Sequence, residues 1–422
     1  KKIVIGRDGR ISGPIVSQLV AQTLVALGAE VIDLGLSTTP TVEFEVVAEQ
    51  AAGGIIITAS HNPKEWNALK LLNEKGEFIS AETGTQILND ADQENLQFAG
   101  VEQSGSYTHK PDHAERHLDA ILAYPLVDAV SIKKKNLKVV VDAINSSGAI
   151  FVPALLQKLG LAKENIIVLN GEVNGKFAHN PEPLPQNLTA LSAAVLANKA
   201  DLGIAVDPDV DRLVLVCEDG SMFGEEYTLV AVSDYVLSKR KGDTVSNLSS
   251  TRALKDITEK YGCNYHPAAV GEVNVVAKMK EVNAVIGGEG NGGIIVPDFH
   301  YGRDALIGIA LFLTQLAKSG KTIKQLRNNY PDYTISKNKI ELTKGVNLAK
   351  VFDQIKDKYK NNPINTDDGL KIEFDNDWVH LRSSNTEPII RIYAESNSET
   401  IANNIAKRLM KDQIVPAHNF AH

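Results

Sequence analysis

The stretch G-I-I-I-T-A-S-H-N-P-K-E-W-N-A-L-K, residues 54–70, decides how the rest of the chain is interpreted. Its run of three isoleucines predicts a short buried strand, and the Asn-Pro pair predicts a turn after it. Ser60 therefore lies where a strand ends and a loop begins, which is where ligands bind in open α/β sheets. A hydroxyl there, with His61 beside it and Lys70 close in sequence, is typical of an activated nucleophile. A turn serine followed by a structural histidine is the alternative.

The composition is that of a soluble globular protein. The 422 residues are 43% apolar and 23% charged, and the length predicts two to four domains. The apolar runs are too short to cross a bilayer, so we expect neither a membrane segment nor a signal peptide. With Cys217 and Cys263 as the only cysteines, a disulfide framework is excluded and a cytoplasmic location is expected. A net charge of −8 without a long basic run argues against nucleic acid as a partner.

A unit of helix, strand and polar loop recurs along the chain. Helices at 15–27 and 41–52 alternate with strands at 31–35 and 54–58, which predicts parallel α/β structure. The unit returns twice: helix 188–199 and strand 202–206 lead to D-P-D-V-D-R, and helix 273–281 and strand 284–286 lead to G-G-E-G-N-G-G. We therefore predict three related mixed α/β domains that each offer one loop to a shared central cleft.

The domain boundaries follow from breaks in this pattern. We predict α/β domains at 1–130, 131–224 and 225–330, and a smaller domain at 331–422. In the last segment the strands at 370–374, 378–382 and 389–394 follow one another directly, which predicts an antiparallel sheet and an α+β fold.

Asp207, Asp209 and Asp211 alternate in D-P-D-V-D-R, residues 207–212. If this segment is extended, residues two apart point the same way and the three carboxylates converge. Such charges repel one another unless a cation lies among them, and hard oxygen ligands suit Mg²⁺. An EF-hand is excluded because Arg212 stands where that loop needs glycine. A solvated acidic turn is the alternative.

Residues 287–293 form a glycine-rich stretch in which Glu289 and Asn291 carry the functional side chains. Glycine allows a backbone to approach a ligand closely, and a carboxylate with an amide can accept from and donate to sugar hydroxyls. A plain turn is the alternative.

The segment R-S-S-N-T-E-P-I-I-R, residues 382–391, follows a predicted strand. Its guanidinium groups, hydroxyls and backbone N–H groups suit a phosphate dianion, although a hairpin turn capped by Ser and Asn would have the same pattern. The candidate phosphate ligands are Arg382, Ser384, Asn385, Thr386 and Arg391. Together with the serine, acidic and glycine-rich stretches, this segment indicates phosphoryl transfer on a sugar phosphate.

In these four motifs and their order the chain resembles the α-D-phosphohexomutase family, which contains phosphomannomutases, phosphoglucomutases and phosphoglucosamine mutases. The resemblance covers essentially the whole chain. It implies a phosphate on Ser60, and Mg²⁺ bound by the three aspartates and a phosphoserine oxygen. It also implies that Glu289 and Asn291 bind sugar hydroxyls, and that the substrate's other phosphate is bound by Arg382, Ser384, Asn385 and Thr386.

Two departures from the family pattern matter. Many members have His at the end of the sugar loop, where this chain has Gly293, so His61 and Lys70 become the acid/base candidates. The family also has an N-terminal strand and an Arg-bearing loop before the first motif found here, and we expect the sequence to lack them. Arg7 and Arg10 are further active-site candidates.

The resemblance implies an enzyme that interconverts hexose 6-phosphates and hexose 1-phosphates through phosphoserine and a hexose 1,6-bisphosphate, which also acts as activator. Arg212 would help to stabilise the transferring charge. Glucosamine phosphate is the favoured substrate, with mannose and glucose phosphates as alternatives, and the protein is expected to be a monomer or homodimer. Two other functions stay open: a phosphatase with Asp207 as nucleophile, and a non-catalytic sugar-phosphate-binding protein.

Overall fold

The computed structural model describes residues 1–93, 97–341, 348–383 and 389–410. These residues form four β-sheets with helices packed against them. Three sheets mix parallel and antiparallel strands, and the pairs of the fourth are antiparallel. The predicted class, three mixed α/β units followed by an α+β unit, is confirmed.

The first sheet carries the serine motif. Its elements are β1 (Lys2–Arg7), α1 (Gly13–Ala26), β2 (Glu30–Leu36), α2 (Thr39–Ala48), β3 (Gly53–Ile57), β4 (Leu69–Leu72), α3 (Ala81–Asp92) and β5 (Ser106–His109). The strand order is β4-β3-β1-β2-β5, and β4 pairs antiparallel with β3. Two helices, α4 (His113–Ala123) and α5 (Ala129–Lys135), lead to the second sheet.

The second sheet carries the acidic motif. Its elements are β6 (Val139–Asp142), α6 (Gly148–Lys158), β7 (Ile166–Leu169), α7 (Thr189–Asn198), β8 (Leu202–Val206) and β9 (Leu213–Cys217). The strand order is β7-β6-β8-β9, with β9 antiparallel to β8.

The third sheet carries the glycine-rich stretch. Its elements are α8 (Glu225–Lys239), β10 (Thr244–Asn247), α9 (Ala253–Lys260), β11 (Tyr265–Ala268), α10 (Glu272–Val282), β12 (Ile286–Glu289), β13 (Gly293–Val296), β14 (His300–Arg303), α11 (Ala305–Ser319) and α12 (Ile323–Arg327). The strand order is β11-β10-β12-β13-β14, with β13 antiparallel to both neighbours.

The fourth sheet has the order β15-β19-β18-β17-β16. Its elements are β15 (Thr334–Glu341), α13 (Leu348–Lys358), β16 (Ile364–Asn365), β17 (Leu370–Glu373), β18 (Trp378–Ser383), β19 (Ile389–Ser396) and α14 (Glu399–Leu409). The helices cover one face with an apolar core of their own.

The predicted repeat is visible in the topology. The runs β2-β1-β3-β4, β7-β6-β8-β9 and β11-β10-β12-β13 have the same order and the same strand directions. In each run the motif of interest joins the third strand to its antiparallel neighbour. The three motifs therefore occupy equivalent places, at the carboxyl ends of strands, where ligands bind in such sheets.

Burial places the second and third units in one continuous core. Nearly every residue of α11 is buried, and so are most residues of α8, because both helices lie inside the core that the second and third units share. A helix that is apolar all round is typical of such a position. In the described part of the chain no helix combines the length and the apolar character that crossing a bilayer needs.

The glycine-rich stretch is a tight hairpin, which agrees with the plain-turn alternative, and strand β12 runs further than the predicted 284–286. Gly287 and Gly288 belong to β12, and the turn is confined to residues 290–292. A Cβ atom on Gly287 would lie 2.7 Å from the Val245 carbonyl oxygen, so close approach of strands requires glycine there. Several strands were not predicted from sequence: β4, β5, β7, β11, β13, β14, β15 and β16.

Candidate active site

Ser60 lies in the turn after β3 with left-handed backbone geometry, φ +48°. This conformation is uncommon for residues other than glycine and is found where the surrounding structure enforces it. The Ser60 amide donates to Thr58 Oγ1 (2.9 Å), and its hydroxyl donates to Asp207 Oδ2 (2.8 Å). The structure therefore brings the serine motif against the acidic motif, 147 residues further along the chain.

Arg10 holds the serine turn in place. Its guanidinium group donates to Asp8 Oδ2 and to four backbone carbonyls of the turn, at 2.5–3.0 Å; the acceptors are those of Ser60, Asn62, Pro63 and Trp66. All five of its N–H donors are used, and the residue is 1% exposed. Arg10 thus has no donor left for a substrate phosphate, and its contacts are those of a residue that positions the serine turn. Arg7 donates to the Asp8 carbonyl and does not line the cleft described below.

The acidic motif converges, but for a different reason from the one predicted. The segment is not extended: Val210 has φ +62°, and the amides of Asp211 and Arg212 fold back to donate to Asp207 Oδ1 (3.2 and 3.1 Å). This tight turn brings one oxygen of each aspartate within 4.8 Å of the others. All three carboxylates are completely buried.

The donor set fits a hard divalent cation. Among the described residues, Asp209 Oδ1 and Asp211 Oδ1 are buried without a hydrogen-bond partner. Burial, together with the charges of Asp211 and Asp209, raises the pKa of Asp207 well above its usual range. Both observations indicate a site that a cation would complete, because ionised carboxylates in contact repel one another.

Residues of the first and second units brace this turn. Thr39, in α2, donates through its hydroxyl to Asp209 Oδ2 and through its amide to the Asp209 carbonyl (2.5 and 2.9 Å). Ser146 accepts from the Gly9 amide (2.9 Å) and donates to the Pro208 carbonyl (2.7 Å). The turn position is therefore fixed by residues that are distant in sequence.

The two acid/base candidates differ in charge. Burial and then Arg212 lower the pKa of His61 to about 4, so its imidazole is neutral near pH 7. His61 Nδ1 lies 3.4 Å from Ser60 Oγ. Lys70 donates to Asp209 Oδ2 (2.7 Å) and Asp211 Oδ2 (3.4 Å); burial opposes its charge, but these carboxylates raise its pKa. Lys70 is thus held as a cation against the acidic turn and does not line the cleft.

Glu289, at the end of β12, is 4% exposed and accepts from the Asn247 side chain (2.8 Å) and the Gly271 amide (3.0 Å). Arg303 Nη1 donates to its other oxygen at 2.8 Å. Although burial opposes its charge, Arg303 lowers the pKa of Glu289. The carboxylate is therefore ionised and fixed at the cleft wall, beside Asn291.

Arg303 connects two of the motifs. It donates to Asp211 Oδ2 (2.7 Å) as well as to Glu289, and its Nε donates to Glu272 Oε2 (2.9 Å). A Cβ atom on Gly293 would lie 2.3 Å from Arg303 Cδ. The departure from the family pattern at Gly293 thus has a steric reason, because Arg303 fills the space that a larger side chain would need.

Two arginines of the fourth sheet, Arg382 and Arg391, line the cleft, and with Lys339 they form a row of cations across three strands. Arg382 in β18 pairs in register with Arg391 in β19, and Arg391 pairs with Lys339 in β15. Like charges opposite each other across strands are destabilising, so the row favours a bound anion. Arg382 Nε lies 2.7 Å from Asp368 Oδ2. Ser384, Asn385 and Thr386 lie outside the described residues.

Six of the groups predicted from sequence line one cleft of about 360 Å³: His61, Arg212, Glu289, Asn291, Arg382 and Arg391. Ser60 and the three aspartates are not among its lining residues, but Ser60 lies directly beside His61. Sequence reasoning missed several lining residues: Asn247, Glu272, Arg303, Lys337 and His380. For Arg303 a signal existed, since H-Y-G-R-D places an arginine and an aspartate between a strand and a helix, but nothing local identifies its partners.

Comparison with known proteins identifies the family to which the chain is similar. Family models described as phosphoglucomutase/phosphomannomutase match the chain in four parts: alpha/beta/alpha domain I at residues 1–98, domain II at 115–220, domain III at 224–333 and the C-terminal domain at 339–412.

Individual relatives match over nearly the full length. The chain is 37% identical to "Phosphoglucomutase/phosphomannomutase" of Thermococcus kodakarensis, over 94% of this chain and 86% of that protein. It is 32% identical to "Probable phosphoglucosamine mutase" of Methanopyrus kandleri, over 98% and 89%. A solved phosphoglucomutase/phosphomannomutase family protein from Burkholderia thailandensis superposes with a TM-score of 0.86 at 27% identity, over 100% of this chain and 90% of that one.

Proposed function

The chain belongs to the phosphoglucomutase/phosphomannomutase family and is a phosphohexomutase, and we propose that it interconverts glucosamine 6-phosphate and glucosamine 1-phosphate through a phosphate on Ser60. The observation that carries the mechanism is the contact between Ser60 Oγ and Asp207 (2.8 Å), beside His61, which lines the same cleft as Arg382 and Arg391.

Ser60 is the phosphoryl carrier in this proposal. The bond between its Oγ and phosphorus breaks as a substrate hydroxyl forms a new bond to phosphorus, and that hydroxyl loses its proton. The neutral imidazole of His61, 3.4 Å from Oγ, supports a role as the proton acceptor. Lys70, held as a cation, and Arg212 place positive charge beside the transferring group.

The three aspartates are the residues that would hold Mg²⁺. Their buried oxygens without partners support this assignment. A Mg²⁺ ion there would draw negative charge from the phosphoryl group during transfer. The turn around Val210, braced by Thr39 and Ser146, would fix the ligands before any ion binds.

Arg382 and Arg391 would bind the substrate's second phosphate. A hexose 1,6-bisphosphate has a phosphate at each end, so it can present either one to Ser60 while the other contacts this row. This reversal is what a mutase requires, and it explains why the cleft has phosphate-binding groups opposite the serine. Hexose 1,6-bisphosphate would also serve as the activator that phosphorylates Ser60.

The preference for an amino sugar is supported by the cleft's carboxylates. Glu289 is ionised, and Glu226 also lines the cleft without a described ion pair, whereas Lys337 pairs with Glu225. Burial raises the pKa of Glu226 well above its usual range, so a neighbouring ammonium would stabilise its charged form. Glucosamine phosphate carries such an ammonium, whereas glucose and mannose phosphates do not. The name of the Methanopyrus kandleri relative supports the same choice.

The test is turnover of glucosamine, N-acetylglucosamine, mannose and glucose 6-phosphates with Mg²⁺ and the matching 1,6-bisphosphate. We expect the highest kcat/KM for glucosamine 6-phosphate, and a phosphate on Ser60 by peptide mapping. Ser60→Ala should abolish turnover, whereas the exposed control Ser104→Ala should not. A higher kcat/KM on mannose or glucose phosphate would contradict the substrate. A hydroxylamine-labile phosphate on Asp207 would contradict the serine mechanism.

A further inference from the structure

A second cluster of metal-type ligands lies outside the cleft, between the first and third units. It is formed by His117 in α4, His300 in β14 and Asp304, which caps α11. The Nε2 atoms of His117 and His300 lie 3.1 and 3.2 Å from the same oxygen of Asp304, Oδ2. The three ligand atoms lie within 4.8 Å of one another.

The spacing suits a small ion as well as hydrogen bonds. Zinc–nitrogen and zinc–oxygen bonds of about 2.0–2.2 Å in tetrahedral geometry place neighbouring ligand atoms about 3.3 Å apart. The two distances to Asp304 already match this value. His117 and Asp304 are completely buried, and the side chain of His300 is 11% exposed.

The outer contacts of the two imidazoles provide a second, independent observation. His117 Nδ1 lies 2.9 Å from Thr41 Oγ1, and His300 Nδ1 lies 3.4 Å from Glu43 Oε2. Glu43 is 1% exposed, and within the described chain neither of its carboxylate oxygens has a hydrogen-bond partner. A buried carboxylate therefore points at the far nitrogen of a candidate ligand, the arrangement in which metal-binding histidines are held.

The tautomers are compatible with an ion as well as with direct hydrogen bonds. If neutral His300 donated from Nε2 to Asp304, its Nδ1 would carry no proton and would present a lone pair to Glu43. A cation on Nε2 leaves the ring proton on Nδ1, which can then donate to Glu43. The ion would also offset the buried charge of Asp304, because the described ion pairs of Asp304 involve histidines alone.

One wall of the cluster is aromatic, and His300, whose side chain is 11% exposed, marks the side from which a water molecule would supply the fourth ligand of a tetrahedral ion. The His117 ring stacks between Phe44 and Phe299, with centroids 5.0 and 5.6 Å away, and Tyr124 packs edge-on against Phe299. Apolar surroundings strengthen electrostatic interactions and raise the cost of an unpaired charge.

We propose that His117, His300 and Asp304 bind a structural transition-metal ion, with Glu43 and Thr41 orienting the two imidazoles. Two imidazoles and a carboxylate suit Zn²⁺ rather than Mg²⁺, which prefers oxygen ligands. The ion joins helices α4 and α11 to strand β14, and so ties the first unit to the third.

The test uses the full-length chain, stripped of metal with EDTA and returned to excess Mg²⁺ to occupy oxygen-rich sites. One equivalent of Co²⁺ should then produce the visible bands of tetrahedral cobalt, and Zn²⁺ should abolish them by displacement. Zn²⁺ at one equivalent should remain bound through gel filtration and raise the Tm. If wild-type protein shows no tetrahedral bands and retains no Zn²⁺, the cluster is a hydrogen-bonded histidine–aspartate group and the proposal is wrong. This measurement does not depend on whether a variant folds.

Variants locate the ion. His300→Gln and His117→Gln should each abolish the cobalt bands, whereas His266→Gln, which removes a surface histidine paired with Asp243, should leave them unchanged. Glu43→Gln should keep the bands and weaken Zn²⁺ affinity about 10- to 100-fold, the effect expected of an outer partner. Bands that persist in both ligand variants would place the ion elsewhere and overturn the proposal.

Discussion

The steric relation between Gly293 and Arg303 predicts a strong coupling between two substitutions. Gly293→Ala adds a Cβ atom 2.3 Å from Arg303 Cδ. Arg303 cannot withdraw easily, because its guanidinium group is held by three carboxylates at 2.7–2.9 Å. We therefore expect Gly293→Ala to lower the free energy of unfolding by about 1–3 kcal/mol, the range for overpacking a dense interior.

In an Arg303→Ala background the same methyl group has room. Gly293 does not have a positive φ, so alanine fits its backbone and should be neutral or stabilising by up to about 1 kcal/mol. Arg303→Ala alone leaves three buried carboxylates without their cation and should cost about 3–5 kcal/mol. The double variant should be no less stable than Arg303→Ala, which corresponds to a coupling of about 1–4 kcal/mol.

The assay is chemical denaturation of the four proteins in the cycle at one Mg²⁺ concentration, with the slope m compared among them because the chain has several domains. Gly84→Ala is the matched control, since a Cβ atom there meets Ile79 at 3.9 Å, and it should be neutral or stabilising. Additive effects of Gly293→Ala and Arg303→Ala, within about 0.5 kcal/mol, would refute the argument that Arg303 fills this space.

Three further predictions address the chemistry. Arg382→Ala should lower kcat/KM about 10- to 100-fold, because a charge-assisted contact to phosphate contributes roughly 1.5–3 kcal/mol. The variant should also release free hexose 1,6-bisphosphate. A variant that turns over at the wild-type rate without this release would exclude a phosphate-binding role for Arg382. Asp209→Asn should raise the Mg²⁺ concentration required for half-maximal turnover, and unchanged activity of wild type after exhaustive EDTA treatment would contradict the metal site. Burial lowers the pKa of His380 to about 4, so the unfolded chain binds this proton more readily than the folded chain does. The free energy of unfolding should therefore fall by up to about 3 kcal/mol as the pH drops from 6.5 to 4. Denaturation of His380→Gln across that range should show a weaker pH dependence, and a profile identical to that of wild type would exclude His380 as the cause.

The fold was largely predictable because its signals are local. Short apolar runs ending in polar turns locate β3 and β8. The recurrence of helix, strand and polar loop along the chain then predicts the repeated unit. The extent of β12 was misjudged because glycine is normally a strand breaker, whereas close packing against Val245 requires it in this strand.

The sequence identified many residues of the site but not the contacts that each of them makes. The three aspartates were identified, but a left-handed Val210, and not an extended strand, makes them converge. Arg10 was named from sequence only as an active-site candidate, and the partners that the structure gives it include four backbone carbonyls 50–56 residues away. No pattern in sequence separates an arginine that binds substrate from one whose donors are all used by the backbone.

Arg303 is the residue that sequence reasoning could least have placed, and it determines how the two halves of the site depend on each other. One guanidinium group contacts Asp211 of the acidic turn and Glu289 of the sugar hairpin, with Glu272 as the third acceptor. Its partners lie 92, 14 and 31 residues away, so the contact exists only because equivalent strands of two repeated units end at one cleft. A cation at the aspartates would compete with Arg303 for the charge of Asp211, and the arginine would then bind Glu289 and Glu272 more strongly. The repeat therefore places the acidic and sugar motifs in equivalent positions, and Arg303 couples their charges.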